Sequence, residues 1–188
     1  MPKPTKAEIA ADIIEHAAGL FARHGFDHTS LQQIADAVNY SKAGVLNHYP
    51  SKQAIYDAVI KTVRDHMLEL RDRVAAIPVG VRRDRALVEA EVQFTYDWPG
   101  IAAFSNRLAY SEPDTDPELV EIGLILYQAL GIDVQNTSLE RLARVTSAFS
   151  GLSVTALTAT RADQKSLWYE LIVSIAMDAL GHGKQSPT

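Results

Sequence analysis

Apolar residues recur along this chain at three- and four-residue intervals, and no stretch alternates long enough to predict a strand. Ile9, Ile13, Ala17, Leu20 and Phe21 share one face of a helix, and the capping-box pattern Thr5-Lys6-Ala7-Glu8 marks its start. Gly25 stands where a left-handed C-terminal cap would end that helix. Ser30 opens a second helix, with Gln33 placed to reach back to the cap, and this helix stops near Asn39. Ser41 opens a third, short helix that runs to about His48. Pro50-Ser51-Lys52 breaks the chain and starts a long fourth helix from Lys52 to about Ala76. Beyond Pro78 and Gly80, helical periods recur at 83–97, 101–110, 117–130, 138–160 and 164–180. Pro99-Gly100, Ser111–Pro117, Gly131–Thr137 and Arg161–Asp163 separate them. The pattern predicts an all-α protein of about nine helices, with no repeat of fixed length.

Residues 30–52 carry the most informative arrangement. Two short helices cross steeply only if a small residue lies where they meet, and Ala35 supplies one. The turn needs a residue that tolerates positive φ, and Asn39 is the best choice after glycine. Leu31, Ile34, Val38, Tyr40 and Val45 fill the wedge between the helices. This is the logic of a helix-turn-helix, whose second helix enters the major groove of DNA by its N-terminal end. Thr29 and Ser30 place hydroxyls and backbone N–H groups at a helix start, a ready phosphate site. Lys42 is placed to reach a phosphate or a guanine edge, and its small neighbours Ser41, Ala43 and Gly44 admit the bases closely. Asn47 and His48 offer donors further along, and Lys52 stands at a helix start where it would pair with a phosphate. The candidate DNA-contacting set is therefore Thr29, Ser30, Gln33, Ser41, Lys42, Ala43, Gly44, Asn47, His48, Tyr49 and Lys52. The same spacing also fits a plain helical hairpin with solvated polar residues.

Composition narrows the chemistry. The 188 residues suffice for one large domain or a small domain docked on a larger one. The absence of cysteine excludes disulfides, thiolate nucleophiles and Cys-ligated metal sites. Apolar runs such as Ile122–Leu126 and Leu171–Val173 are far too short to cross a bilayer. Met1–Lys6 has charge but no apolar core behind it, so no signal peptide and a cytoplasmic location are expected. The net charge of −5 argues weakly against a nucleic-acid partner, yet it is unevenly spread. Residues 1–56 balance five basic against five acidic side chains and hold four of the six histidines, whereas 57–188 hold 13 basic and 18 acidic. A neutral, His-rich head on an acidic body suggests two parts with different tasks. Asp12, His16 and His24 share a helix face, where such residues usually pair or solvate, so no metal is expected. Glu89 and Glu91 lie two apart on a helix and do not face each other. No Gly-rich phosphate loop or Gly-x-Ser-x-Gly elbow occurs, so neither a catalytic site nor a cofactor is expected.

The segment from about Ile9 to Val59 also resembles the N-terminal domain of the TetR family of transcriptional repressors. The resemblance rests on Ala17…Leu20-Phe21-Ala22-Arg23-His24-Gly25-Phe26, on Thr29-Ser30-Leu31-Gln32-Gln33-Ile34-Ala35, and on the run from Ser41 to Ile55. It implies a dimer whose three-helix heads bind two half-sites of a palindromic operator, with a larger C-terminal body that binds an inducer. Three positions depart from the family pattern. Asn39 replaces a usual glycine, Tyr40 is bulkier than the usual aliphatic residue, and Asn47 stands where tyrosine usually contacts a phosphate. A weaker phosphate grip or altered base readout is expected at Asn47.

These observations divide the chain into a DNA-binding domain, 1–51, and a ligand-binding and dimerisation domain, 52–188. Phe94, Trp98, Phe104, Tyr110, Tyr127 and Phe149 are the aromatic candidates for a ligand pocket, with Gln93, Asn106 or Arg107 as polar anchors. Each aromatic taken alone is as readily a core residue. Few charges fall on the apolar faces of these helices, so an inducer would be mostly apolar or aromatic. Residues 138–180 suit a homodimer interface. Ala143, Ser147, Ala148, Ser150, Gly151, Ser153, Thr155 and Ala156 would let helix axes approach, and Leu142, Val145, Phe149 and Leu152 would supply apolar area. The last helix would add Leu167, Leu171, Ile172, Ile175 and Ala179. The function expected is a ligand-responsive repressor; the alternative is a dimeric helical interaction protein of the same fold without specific DNA recognition.

Overall fold

The computed structural model describes residues 4–109 and 117–183. Among them are nine α-helices and no strand: α1 Lys6–His24, α2 Leu31–Ala37, α3 Lys42–Leu46, α4 Lys52–Val74, α5 Val81–Asp97, α6 Pro99–Ala109, α7 Pro117–Ala129, α8 Leu139–Arg161 and α9 Lys165–Met177. Local chemistry starts most of them. Thr5 and Ser30 both form complete capping boxes, with Glu8 and Gln33 reaching back to the cap N–H. The hydroxyls of Ser41, Ser51 and Ser138 accept N–H groups from the first turns of α3, α4 and α8. Each cap stabilises its helix by about 1 kcal/mol, and it fixes the register at which the apolar stripe begins. Gly25 closes α1 with φ +83 as expected, but its ψ of 164 is extended rather than left-handed helical.

Two cores share helices α4 and α7; Ile122 of α7 lies in the head core and Ala129 in the body core. The head core joins Ile13, Ala17, Phe21, Ile34, Val45 and Ile55, and the body core joins Leu87, Val92, Val145, Leu152, Ile172 and Ala176. Helix α4 belongs to both, with Val59 and Val63 in the first and Leu70 and Val74 in the second. Head and body meet again along α1 and α6. There the Glu15 carboxylate accepts N–H groups from Gly100 and from Ile101, the latter at 3.0 Å. The sequence pattern placed Pro99-Gly100 between helices; they are instead the first turn of α6. Proline is tolerated there because its missing N–H would have had no intrahelical partner. Gly100 is required because a Cβ would overlap the Glu15 carbonyl on α1.

After α9 the chain turns at Gly181, φ +93, and is pinned to the body by a buried carboxylate. Asp84 Oδ2 on α5 accepts from Arg141 Nη2 on α8 at 2.6 Å and pairs with His182 Nε2 at 2.7 Å. Arg141 Nη1 also donates to the Leu180 carbonyl.

The faces of α8 and α9 correct part of the expected interface. Val145 and Leu152 are buried within the chain's own core, as is Ile172. What α8 leaves exposed is Ala143, Ser147, Gly151 and Val154, and what α9 leaves exposed is Leu167, Leu171 and Ile175. The periodicity identified the apolar positions but not which of two apolar faces met the chain itself. Among the described residues no helix is long and apolar enough to cross a membrane.

Candidate functional site

The head presents a short exposed helix on a rigid support. Tyr40 N–H donates to the Ala35 carbonyl at 2.9 Å, and Asn39 adopts φ 56, so α2 turns sharply into α3. Ala35 is fully buried at this crossing. The Tyr40 ring, bulkier than the family pattern, packs beside Gly44; a Cβ there would lie in ordinary contact with the ring and 3.3 Å from the Ser41 hydroxyl that caps α3. Val45 anchors α3 from beneath, which leaves Ser41, Lys42, Ala43 and Asn47 facing outwards, with Gly44 half-buried and His48 half-buried beside them. Ser30 and Gln33 are exposed at the start of α2, and their side chains cap that helix.

Three residues of the candidate DNA-contacting set have internal partners instead. Thr29 is buried, and its hydroxyl donates to the Gly25 carbonyl at 2.8 Å. Tyr49 donates to the Ala10 carbonyl at 3.3 Å, and burial pushes its phenol above the ordinary value. Lys52 Nζ donates to the Phe26 carbonyl at 2.7 Å and lies 4.1 Å over the centre of the Phe26 ring. Thr29 ties the loop before α2 to the end of α1, and Tyr49 and Lys52 tie the end of α3 and the start of α4 to α1 and the loop after it. All three lie at or beside helix ends, where the spacing of apolar positions does not tell which way a side chain turns.

The body contains a cavity of about 300 Å³ between α4, α5, α6, α7 and α8. Of the expected ligand residues, Phe94, Tyr127 and Phe149 line it, and Asn106 joins them. The others do not. Phe104 is buried in an aromatic cluster of the head, 5.6 Å from the Tyr56 ring and 6.3 Å from that of Phe21. Gln93 is exposed and donates to Asp97, while Trp98 caps the end of α5 with its ring partly exposed. Arg107 donates to the Ala22 carbonyl on α1 at 3.0 Å. Tyr110 lies outside the described residues. Helix α6 therefore has two working faces, and the apolar count along it could not tell the one turned to the head from the one turned to the cavity.

One charged residue of the cavity and its partner lie outside the expected ligand set. Glu91 lines the cavity, and its Oε1 lies 3.1 Å from His66 Nε2 on α4. The imidazole stacks flat on Phe94, with ring centres 3.5 Å apart and planes at 11°. A signal was present: His66 falls between Val63 and Leu70 on the buried stripe of α4, and Glu91 between Val88 and Thr95 on that of α5. A polar residue inside an apolar stripe requires a partner. Glu89 turns the other way and pairs with Arg85 at 3.3 Å. Among the described residues no group of His, Asp and Glu is arranged to hold a metal; His16 instead lies 3.1 Å from Asp12.

Comparison with known proteins adds to this geometry. Residues 13–59 match the family described as bacterial regulatory proteins, tetR family. The negative transcriptional regulator IcaR of the icaADBC biofilm operon in Staphylococcus aureus is 30% identical over 86 residues, which are 46% of this chain and 43% of IcaR. The chain thus spans less than half the length of the curated relative it matches. Among solved structures, the probable transcriptional regulatory protein RHA5900 superposes with a TM-score of 0.61 at 22% identity, over 95% of this chain and all of that one. AibR, solved in complex with isovaleryl coenzyme A and operator DNA, superposes with a TM-score of 0.51 at 18% identity, over 89% of this chain and 97% of AibR. These likenesses show that the fold of head and body together is that of such regulators.

Proposed function

We propose, from the match of residues 13–59 to the TetR family of bacterial regulatory proteins, that the chain is a homodimeric, ligand-responsive transcriptional regulator, in the simplest case a repressor acting in the cytoplasm. The carrying observation is the exposed N-terminal end of α3, where Ser41, Lys42 and Ala43 face outward with small side chains on both sides of the lysine. Lys42 reaches a phosphate or a guanine edge, Asn47 lies one turn further, and Ser30 and Gln33 approach the backbone from α2.

Two heads read a palindrome only when held about 34–36 Å apart, one turn of DNA, so the body sets the function through its geometry. The exposed stripes of α8 and α9, Gly151 and Val154 with Leu167, Leu171 and Ile175, pair with their copies in a second chain. The cavity is the effector site. Its walls include Val63 and Met67 of α4 and Ala102 and Asn106 of α6, and both helices also enter the head core. A ligand that binds more tightly when α4 and α6 are displaced changes the spacing of the heads, by no more than its difference in affinity for the two states. AibR, which was solved in complex with both isovaleryl coenzyme A and operator DNA, supports a regulator that takes a ligand as well as DNA.

The test is a fluorescence-anisotropy titration with DNA flanking the protein's own gene, against scrambled DNA and at two salt concentrations. Selective binding whose logarithm falls with the logarithm of salt by about 0.9 per phosphate contacted is expected. Lys42→Ala is expected to weaken it at least about tenfold with folding and dimerisation unchanged. Weak binding, equal on both DNAs with and without candidate effectors, would overturn the regulator and favour a helical interaction protein.

A further inference from the structure

The cavity has a charge asymmetry that selects its ligand. Among the described residues that line it, Glu91 is the only charged one. The rest of the wall is apolar or aromatic, with hydroxyls such as Thr95 and Ser150 and the Asn106 amide between. The group that meets the carboxylate from the protein side is the His66 imidazole, at 3.1 Å, and both side chains are nearly buried, 13% and 14% exposed. With a neutral imidazole the wall carries one negative charge, and with a protonated one the pair is neutral. In neither state is it positive. An anionic ligand would lose its hydration with no counter-charge to meet. A cation, by contrast, would gain Glu91 together with the aromatic rings of Phe94, Tyr127 and Phe149.

We propose that the cavity binds a small apolar molecule bearing a protonated amine or comparable cationic nitrogen, and that this group pairs with Glu91. The proposal rests on the reading of the cavity as the effector site. It also gives that reading a lever. His66 sits on α4, a helix that enters both cores, and stacks on Phe94 while paired with Glu91. A cation on Glu91 competes with the imidazole for the same carboxylate, so binding loosens a contact that fixes α4 to α5.

Three probes of equal length isolate the charge: 4-phenylbutylamine, 4-phenylbutan-1-ol and 4-phenylbutanoate. Calorimetric titration of the full chain is expected to show the amine bound at least about tenfold tighter than either of the others. In Glu91→Gln, which keeps the size and a hydrogen bond to His66, the amine is expected to lose that advantage while the alcohol changes by less than about twofold. Ser150→Phe, which fills the cavity without touching Glu91, is expected to lose all three. Should Glu91→Gln fail to fold, the ranking of the probes on the unsubstituted protein decides alone. Equal or tighter binding of the carboxylate or the alcohol, abolished by Ser150→Phe, would overturn the cationic class and leave the effector site standing. Binding of none of the three, on a protein that still binds its operator, would overturn the effector site as well.

Discussion

Replacing Gly100 with alanine tests the seam that joins head to body. The added methyl would overlap the Glu15 carbonyl on α1 and lie 2.8 Å from one carboxylate oxygen of the same residue. Backbone cannot rotate away as a side-chain tip can, so α1 and α6 must separate by roughly 1 Å to restore ordinary contact. Overpacking a tight contact costs about 1–3 kcal/mol. The separation also stretches the two bonds from Gly100 and Ile101 to Glu15, each worth about 1.5–3 kcal/mol when fully made because the acceptor is charged. Against this, alanine in a helix gains about 0.5–1 kcal/mol over glycine. The net expectation is a loss of about 2–4 kcal/mol. For a domain of this size that lowers the thermal midpoint by about 5–15 °C. The assay is thermal unfolding followed by circular dichroism at one fixed protein concentration, since dimerisation contributes to the midpoint. Gly123→Ala is the control: it makes the same substitution inside α7, where a Cβ meets nothing within 4 Å. It is expected to raise stability by about 0.5–1 kcal/mol. A Gly100→Ala protein as stable as this control would refute the argument that the α1–α6 contact is close-packed.

Asp84→Ala removes a fully buried carboxylate and leaves Arg141 and His182 without their shared acceptor; a loss of about 3–5 kcal/mol is expected in urea unfolding, and a loss under about 1 kcal/mol would show that the C-terminal turn is not held there. Burial pushes the Glu15 carboxyl above its ordinary 4.5, against the pull of the Gly100 and Ile101 N–H groups. The folded state then holds that proton more tightly than the unfolded state, so this group's contribution to stability is present at low pH and lost as pH rises from 4.5 through the raised folded value. Glu15→Gln is expected to flatten the stability profile over that interval, and an unchanged profile would remove Glu15 as its source. Leu171→Glu places a charge in the exposed apolar stripe of α9 and is expected to yield a folded monomer in sedimentation velocity; an unaltered dimer would move the interface elsewhere.

The sequence by itself determined whatever depends on near neighbours. Thr5 and Ser30 set helix starts through hydrogen bonds that span three residues, Asn39 turned the chain through a conformation that few other residues tolerate, and Ala35 allowed α2 and α3 to cross. These are local rules, and the head obeys them closely enough that its family could be read from the residues. Tertiary structure decided which face of each helix served which neighbour. Phe104 and Arg107 have the aromatic and polar character of ligand residues but turn to the head, while Glu91, set aside as one of two acids that do not meet, turns into the cavity to His66. Pro99-Gly100 reads as a break and is a helix start, because only packing against Glu15 reveals why a glycine must follow the proline. Caps and turns act over three or four residues and leave their mark in sequence. The partner of a buried side chain is set by how whole helices dock, through contacts between residues 25 to 98 positions apart, such as His66 with Glu91 and Asp84 with His182.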